Sequence, residues 1–117
     1  MIKEQPHLVV TERMVTLKTV IKTGSNNSPE KVVTKKLSVS VFPKGVPLTQ
    51  VRVRTHGTFN MGNYSSVQAS VELEDSTISN PEARVDLVET LSEMALEFTS
   101  KIAQRAADKF FQKAELL

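Results

Sequence analysis

Residues 81–113 read PEARVDLVETLSEMALEFTSKIAQRAADKFFQK, with neither glycine nor proline after the first position. Good helix formers fill this stretch, and its apolar residues recur at helical spacing. At 100° per residue, Leu87, Leu91, Met94, Phe98 and Ile102 fall in one narrow arc. Val88, Ala95, Ala106 and Phe110 lie beside it, Val85 and Ala103 further round, and Leu96 and Phe111 widen it again. The apolar sector covers about half the circumference, more than the stripe of about 100° that suffices against one surface. The stretch predicts a long C-terminal helix that packs on the rest of the chain and has apolar surface left over.

The residues before it, DSTISN at 75–80, supply a start signal in one of two ways. Ser79 and Glu82 have capping-box spacing; alternatively Asn80 is the cap and Pro81 the first helical residue. A helix over 81–113 is about 50 Å long at about 1.5 Å per residue. A compact chain of 117 residues spans only about 35 Å. The helix therefore breaks near Thr99–Ser100 or overhangs its support. Charge is graded along it. Glu82, Asp86, Glu89, Glu93 and Glu97 come first, then Lys101, Arg105, Lys109 and Lys113. The gradient complements the helix dipole, and it also suits antiparallel pairing of two copies. A homodimer or higher homo-oligomer is expected, with Leu91, Phe98, Ile102, Phe110 and Phe111 as self-association residues.

Upstream the periodicity changes from helical to alternating. Strands are predicted over 8–22, 31–42, 50–60 and 65–74. TGSNNSP at 23–29 and PKGVP at 43–47 are turn clusters between them. In the first strand Val15, Leu17, Thr19 and Ile21 share a face; in the second, Leu37, Val39 and Val41 do. The last two strands can be registered from sequence. Setting Phe59 opposite Val67 also sets Gly57 against Ala69, Thr55 against Val71 and Val53 against Leu73. On the other face it sets Arg54 against Glu72 and Arg52 against Glu74. A slip of one residue would oppose apolar to polar throughout. The hairpin loop is then Gly62-Asn63-Tyr64, closed by Met61 and Ser65. The expected fold is α+β, a single domain over 1–117 in which a four-stranded antiparallel β-meander packs on one long C-terminal helix.

Composition narrows the chemistry. Charged residues make up 24% and there is no cysteine, which removes disulfides and thiolate chemistry and suits a reducing compartment. No apolar run approaches the roughly 20 residues of a membrane helix, and MIKEQPHLVV lacks the features of a signal peptide. A cytoplasmic protein with no membrane partner is expected. The two histidines, His7 and His56, are too few and too far apart for a histidine metal site, and no nucleophile elbow or phosphate loop is present. No catalytic residues, metal or cofactor are expected, and the chain reads as a non-enzyme.

What remains is charge. Residues 1–58 carry ten Lys/Arg and three Glu, whereas residues 59–117 carry five Lys/Arg and ten Asp/Glu. A basic half points to a polyanion; the alternative is mutual neutralisation of the halves. The polar face of the sheet is expected to present Lys18, Lys22, Lys36, Arg52, Arg54 and His56, with Tyr64 as a free aromatic at a hairpin tip. These seven are the candidate nucleic-acid-binding residues, suited to electrostatic contact with phosphates. The run FNMGNYSSVQASVELE (59–74), followed by a long amphipathic helix, resembles small bacteriophage-encoded β-plus-helix proteins of the single-stranded DNA-binding accessory type. The resemblance covers about residues 50–113 and implies single-stranded DNA as the partner. The alternative is a phage-type protein-interaction, inhibitor or structural assembly module acting through its long helix.

Overall fold

The computed structural model describes residues 7–62 and 64–116, and for residues 110–116 the helical backbone alone. The elements are β1 (Leu8–Thr23), β2 (Asn26–Asn27), β3 (Lys31–Pro43), β4 (Leu48–Gly62), β5 (Ser65–Ile78) and α1 (Pro81–Leu116). The α+β class and the C-terminal helix are as expected, but among the described residues the sheet has five strands, because the 23–29 turn folds a two-residue strand back on Lys22 and Thr23.

The sheet is not a meander. β1 pairs with β3 on one side and with β5 on the other, and β4 pairs with β5, all antiparallel. The long strands therefore lie in the order β3-β1-β5-β4. A meander would have left β5 at an edge and placed β3, with Lys31, Lys35 and Lys36, in the interior. The observed order does the reverse. Val67, Ala69, Val71 and Leu73 of β5 are fully buried, while lysines lie on an edge strand, where charge discourages stray pairing.

The β4–β5 register is the expected one throughout its body, from Arg52↔Glu74 to Phe59↔Val67. Its tip differs. Gly62, not Met61, pairs with Ser65, and the register shifts between Asn60 and Gly62. Met61 is the extra residue and packs with Val67, Ala69 and Ala103. Gly62 has φ 80°, a conformation glycine adopts without steric cost.

A second irregularity changes the reading of β3. The pairing shifts between Arg13 and Met14, which leaves Leu37 unmatched. Before this bulge Val33 pairs with Leu17 on the helix side; after it Val39 pairs with Glu12 and Val41 with Val10 on the outer side. Leu37, Val39 and Val41 are all exposed, not turned to the core as their alternation predicts.

The helix runs unbroken through Thr99–Ser100, and the molecule is elongated, with a longest dimension of 59 Å. Asn80 is the cap. Its Oδ1 accepts the backbone N–H groups of Glu82 at 2.9 Å and Ala83 at 3.3 Å, and Ser79 instead accepts from Thr49. The stripe facing the sheet is Leu87, Leu91, Ala95, Thr99 and Ala103, all buried, with Met94, Phe98 and Ile102 along its flank. Its small residues let the helix lie close. Thr99 Oγ1 bonds Thr55 Oγ1 at 2.6 Å and donates to the Ala95 carbonyl at 2.7 Å, fixing α1 against β4.

Candidate nucleic-acid interface

Each rung of the outer face is set by strand register. Arg54 of β4 pairs with Glu72 of β5, which pairs with Thr16 of β1. The next rung is His56, Ser70 and Lys18. In the expected meander β3 would have stood between β1 and β4, with Lys31, Lys35 and Lys36 beside Lys18. The observed order puts Lys18 and the β4 cations on the two sides of β5. Together Thr16, Lys18, Arg54, His56, Ser70 and Glu72 line a shallow depression of about 320 Å³.

The arginines are engaged within the protein. Arg52 Nε lies 3.0 Å from Glu72, Arg52 also reaches Glu74 at 3.2 Å, and Arg54 donates to Glu72 at 2.9 Å. Gln50 donates to the other oxygen of Glu74. The hydrogen bond from Arg54 holds the Glu72 carboxyl below its ordinary range, against an opposing effect of burial, and the charges of Arg54, Arg52 and Lys18 add to the lowering. Glu72 thus carries negative charge that two guanidiniums already balance. Among the described residues, Lys18 and His56 show no ion pair or side-chain hydrogen bond.

The remaining candidates lie away from this cluster. Lys22 is four residues along β1 from Lys18 on the same face, about 13 Å at the usual strand rise. Tyr64 stands at that end, 93% exposed with φ 60°. The Tyr64 carbonyl accepts the Gly24 N–H at 3.0 Å, which ties the β4–β5 tip to the β1–β2 turn. Lys36 pairs with Met14 at the opposite end and approaches Glu12 at 3.9 Å. The candidate residues therefore form a central group of Lys18, Arg54 and His56 with outliers at both ends. Thr16 and Ser70 were not singled out from sequence, because their place in the depression depends on the β1–β5 pairing.

The expected self-association residues fare differently. Leu91 is fully buried in the core of its own chain, and Phe98 and Ile102 pack against that core. A 36-residue helix on a narrow sheet spends those side chains internally, so a second copy cannot use Leu91. The side chains of Phe110 and Phe111 lie outside the described residues. The helix leaves Val85, Val88 and Leu96 exposed instead.

Among the described residues no cluster of His, Asp and Glu could hold a metal ion, and no helix is long and apolar enough to cross a membrane. The chain matches no family model, no curated protein and no solved structure at a significant level.

Proposed function

We propose that this chain is a non-enzymatic, cytoplasmic nucleic-acid-binding protein that takes single-stranded DNA on the outer face of its sheet and works as a homodimer. The observation that carries this reading is the depression between β1 and β4. Among the described residues Lys18 and His56 make no ion pair or side-chain hydrogen bond there, Arg54 stands beside them, and the hydroxyls of Thr16 and Ser70 can donate to phosphate oxygens. A phosphodiester gives Lys18 a direct ion-pair partner and His56 a hydrogen-bond acceptor. The contact is electrostatic and tolerant of sequence, and salt weakens it as counterion release requires. Tyr64 offers one stacking surface at the end of the track.

Fluorescence anisotropy with labelled single-stranded and duplex oligonucleotides, at two salt concentrations, tests this. Binding that prefers the single strand, weakens with salt and is reduced in Lys18→Ala/His56→Ala supports it. The absence of binding at low salt overturns it. A second reading, a protein-interaction or assembly module of phage type acting through α1, is favoured by the exposed Val85, Val88 and Leu96 on the helix. In that case Leu96→Lys disrupts function while oligonucleotide binding is absent.

A further inference from the structure

We propose that two copies of this chain join edge to edge through the second half of β3, Leu37–Phe42, and so continue the sheet from one protomer into the next. This rests on the homodimer reading above and relocates its interface from the helix to the sheet.

Among the described strands β3 pairs only with β1, so its other edge presents unpaired backbone donors and acceptors. Proteins protect such edges with charge and bulges. Here the protection stops halfway. Lys31, Lys35 and Lys36 and the bulge at Leu37 guard the first half. The second half, LSVSVF, has no charge, glycine or proline and is rich in β-formers.

The bulge also creates the apolar surface that such a joint would cover. It turns Val39 and Val41 to the outer face, where Val41 pairs with Val10 and Pro43 with Leu8. Val10, Val39 and Val41 are each about half exposed, and Leu8 is 39% exposed. A contiguous apolar patch bordering an open strand edge marks an interaction surface.

The occupant that fits is a second copy, because the segment is complementary to itself. A two-fold through Val39 sets Val39 against its own counterpart, Leu37 against Val41 and Ser38 against Ser40. Lys36 falls opposite Phe42, so no two like charges meet. The free edge of β4 lacks this property. A two-fold through its middle, Thr55, sets Arg54 against His56, and one through Val53 sets Arg52 against Arg54, like charges whose opposition is destabilising between strands. The joint leaves the Lys18–Arg54–His56 depression uncovered, because Thr16 and Lys18 pair with Thr34 and Val32, in the half of β3 outside Leu37–Phe42.

Sedimentation velocity and light scattering over a concentration series test the proposal, with circular dichroism to verify folding. The wild type is expected to dimerise. Val39→Lys/Val41→Lys is expected to stay monomeric with an unchanged spectrum, and Leu96→Lys is expected to dimerise as the wild type does. A wild type that stays monomeric at every concentration overturns both the dimer and this interface. A double variant that still dimerises, or a Leu96→Lys chain that does not, overturns this interface and leaves the dimer itself standing. A second measurement does not depend on the double variant folding. The chain has no cysteine, so Val39→Cys introduces a single thiol at the two-fold. Mild oxidation should then link two copies covalently, because a disulfide needs Cα atoms within about 7 Å. Val85→Cys should not cross-link. Failure of Val39→Cys to cross-link in a folded chain counts against the joint.

Discussion

Arg13 and Asp75, 62 residues apart in sequence, meet across the β1–β5 pairing, with Arg13 Nε donating to Asp75 Oδ2 at 2.8 Å. Asp75 is 4% exposed, and its other oxygen accepts the Ser76 N–H. The Arg13 guanidinium also touches Met94 Sδ of the helix at 3.5 Å. In a meander these two residues would sit on opposite edges. The pair therefore belongs to this topology and links the central strands to α1. Asp75→Ala leaves a guanidinium without its partner in a partly buried site and should cost about 2 kcal/mol. Urea unfolding checks this, and the change should be smaller when Arg13→Ala is already present.

The two faces of α1 should respond very differently to the same substitution. Leu91→Ala removes a fully buried side chain and should destabilise by about 2–5 kcal/mol. Leu96→Ala, at a position 62% exposed, should change stability by less than about 0.5 kcal/mol. A thermal melt of both variants separates the core stripe from the free flank.

Thr11 presents a case where removing a polar group should help. Its hydroxyl is buried and has no hydrogen-bond partner among the described residues. Thr11→Val keeps the shape and the β-branch while removing the unsatisfied oxygen, so stability should rise by about 1 kcal/mol. Equilibrium unfolding by denaturant checks the sign.

Glu72 should make the acid limb of stability steeper. Its folded-state pKa is lowered, first by the hydrogen bond from Arg54. A carboxyl lowered on folding contributes stability above its unfolded pKa and loses it as pH falls through the folded value. The contribution should therefore be intact at neutral pH and decline below the ordinary value of 4.5. In Glu72→Gln the drop in stability between pH 6 and about pH 3 should be smaller than in the wild type, measured by urea titration at each pH.

Tyr64 should show opposite effects on stability and on binding. It holds φ 60° while 93% exposed, and the left-handed region is costly for an aromatic residue but tolerated by asparagine. Tyr64→Asn should raise stability by about 0.5–1 kcal/mol. It should also weaken binding to a single-stranded oligonucleotide by about 1 kcal/mol or more through the lost stacking. A melting curve and an anisotropy titration on the same sample compare the two effects.

What the sequence determined by itself was local. The uninterrupted helical period fixed α1, and two faces that had to agree at once fixed the β4–β5 register, including Arg54 opposite Glu72. Both are decided within one segment or between neighbours joined by a short turn, where spacing leaves one consistent solution. Strand order was a different kind of question. Whether β1 continues to β3 alone or also receives β5 is decided by which strand needs two neighbours and a helix above it, a comparison across the whole sheet. The bulge at Leu37 was equally hidden, since alternation counts residues but cannot show one that is skipped. That one skipped residue turned Val39 and Val41 outward, and the registers of β1 and β4 on β5 set Lys18 and His56 on one rung beside Arg54. The candidate residues could be named from the sequence, but only tertiary pairing decided which of them stand together.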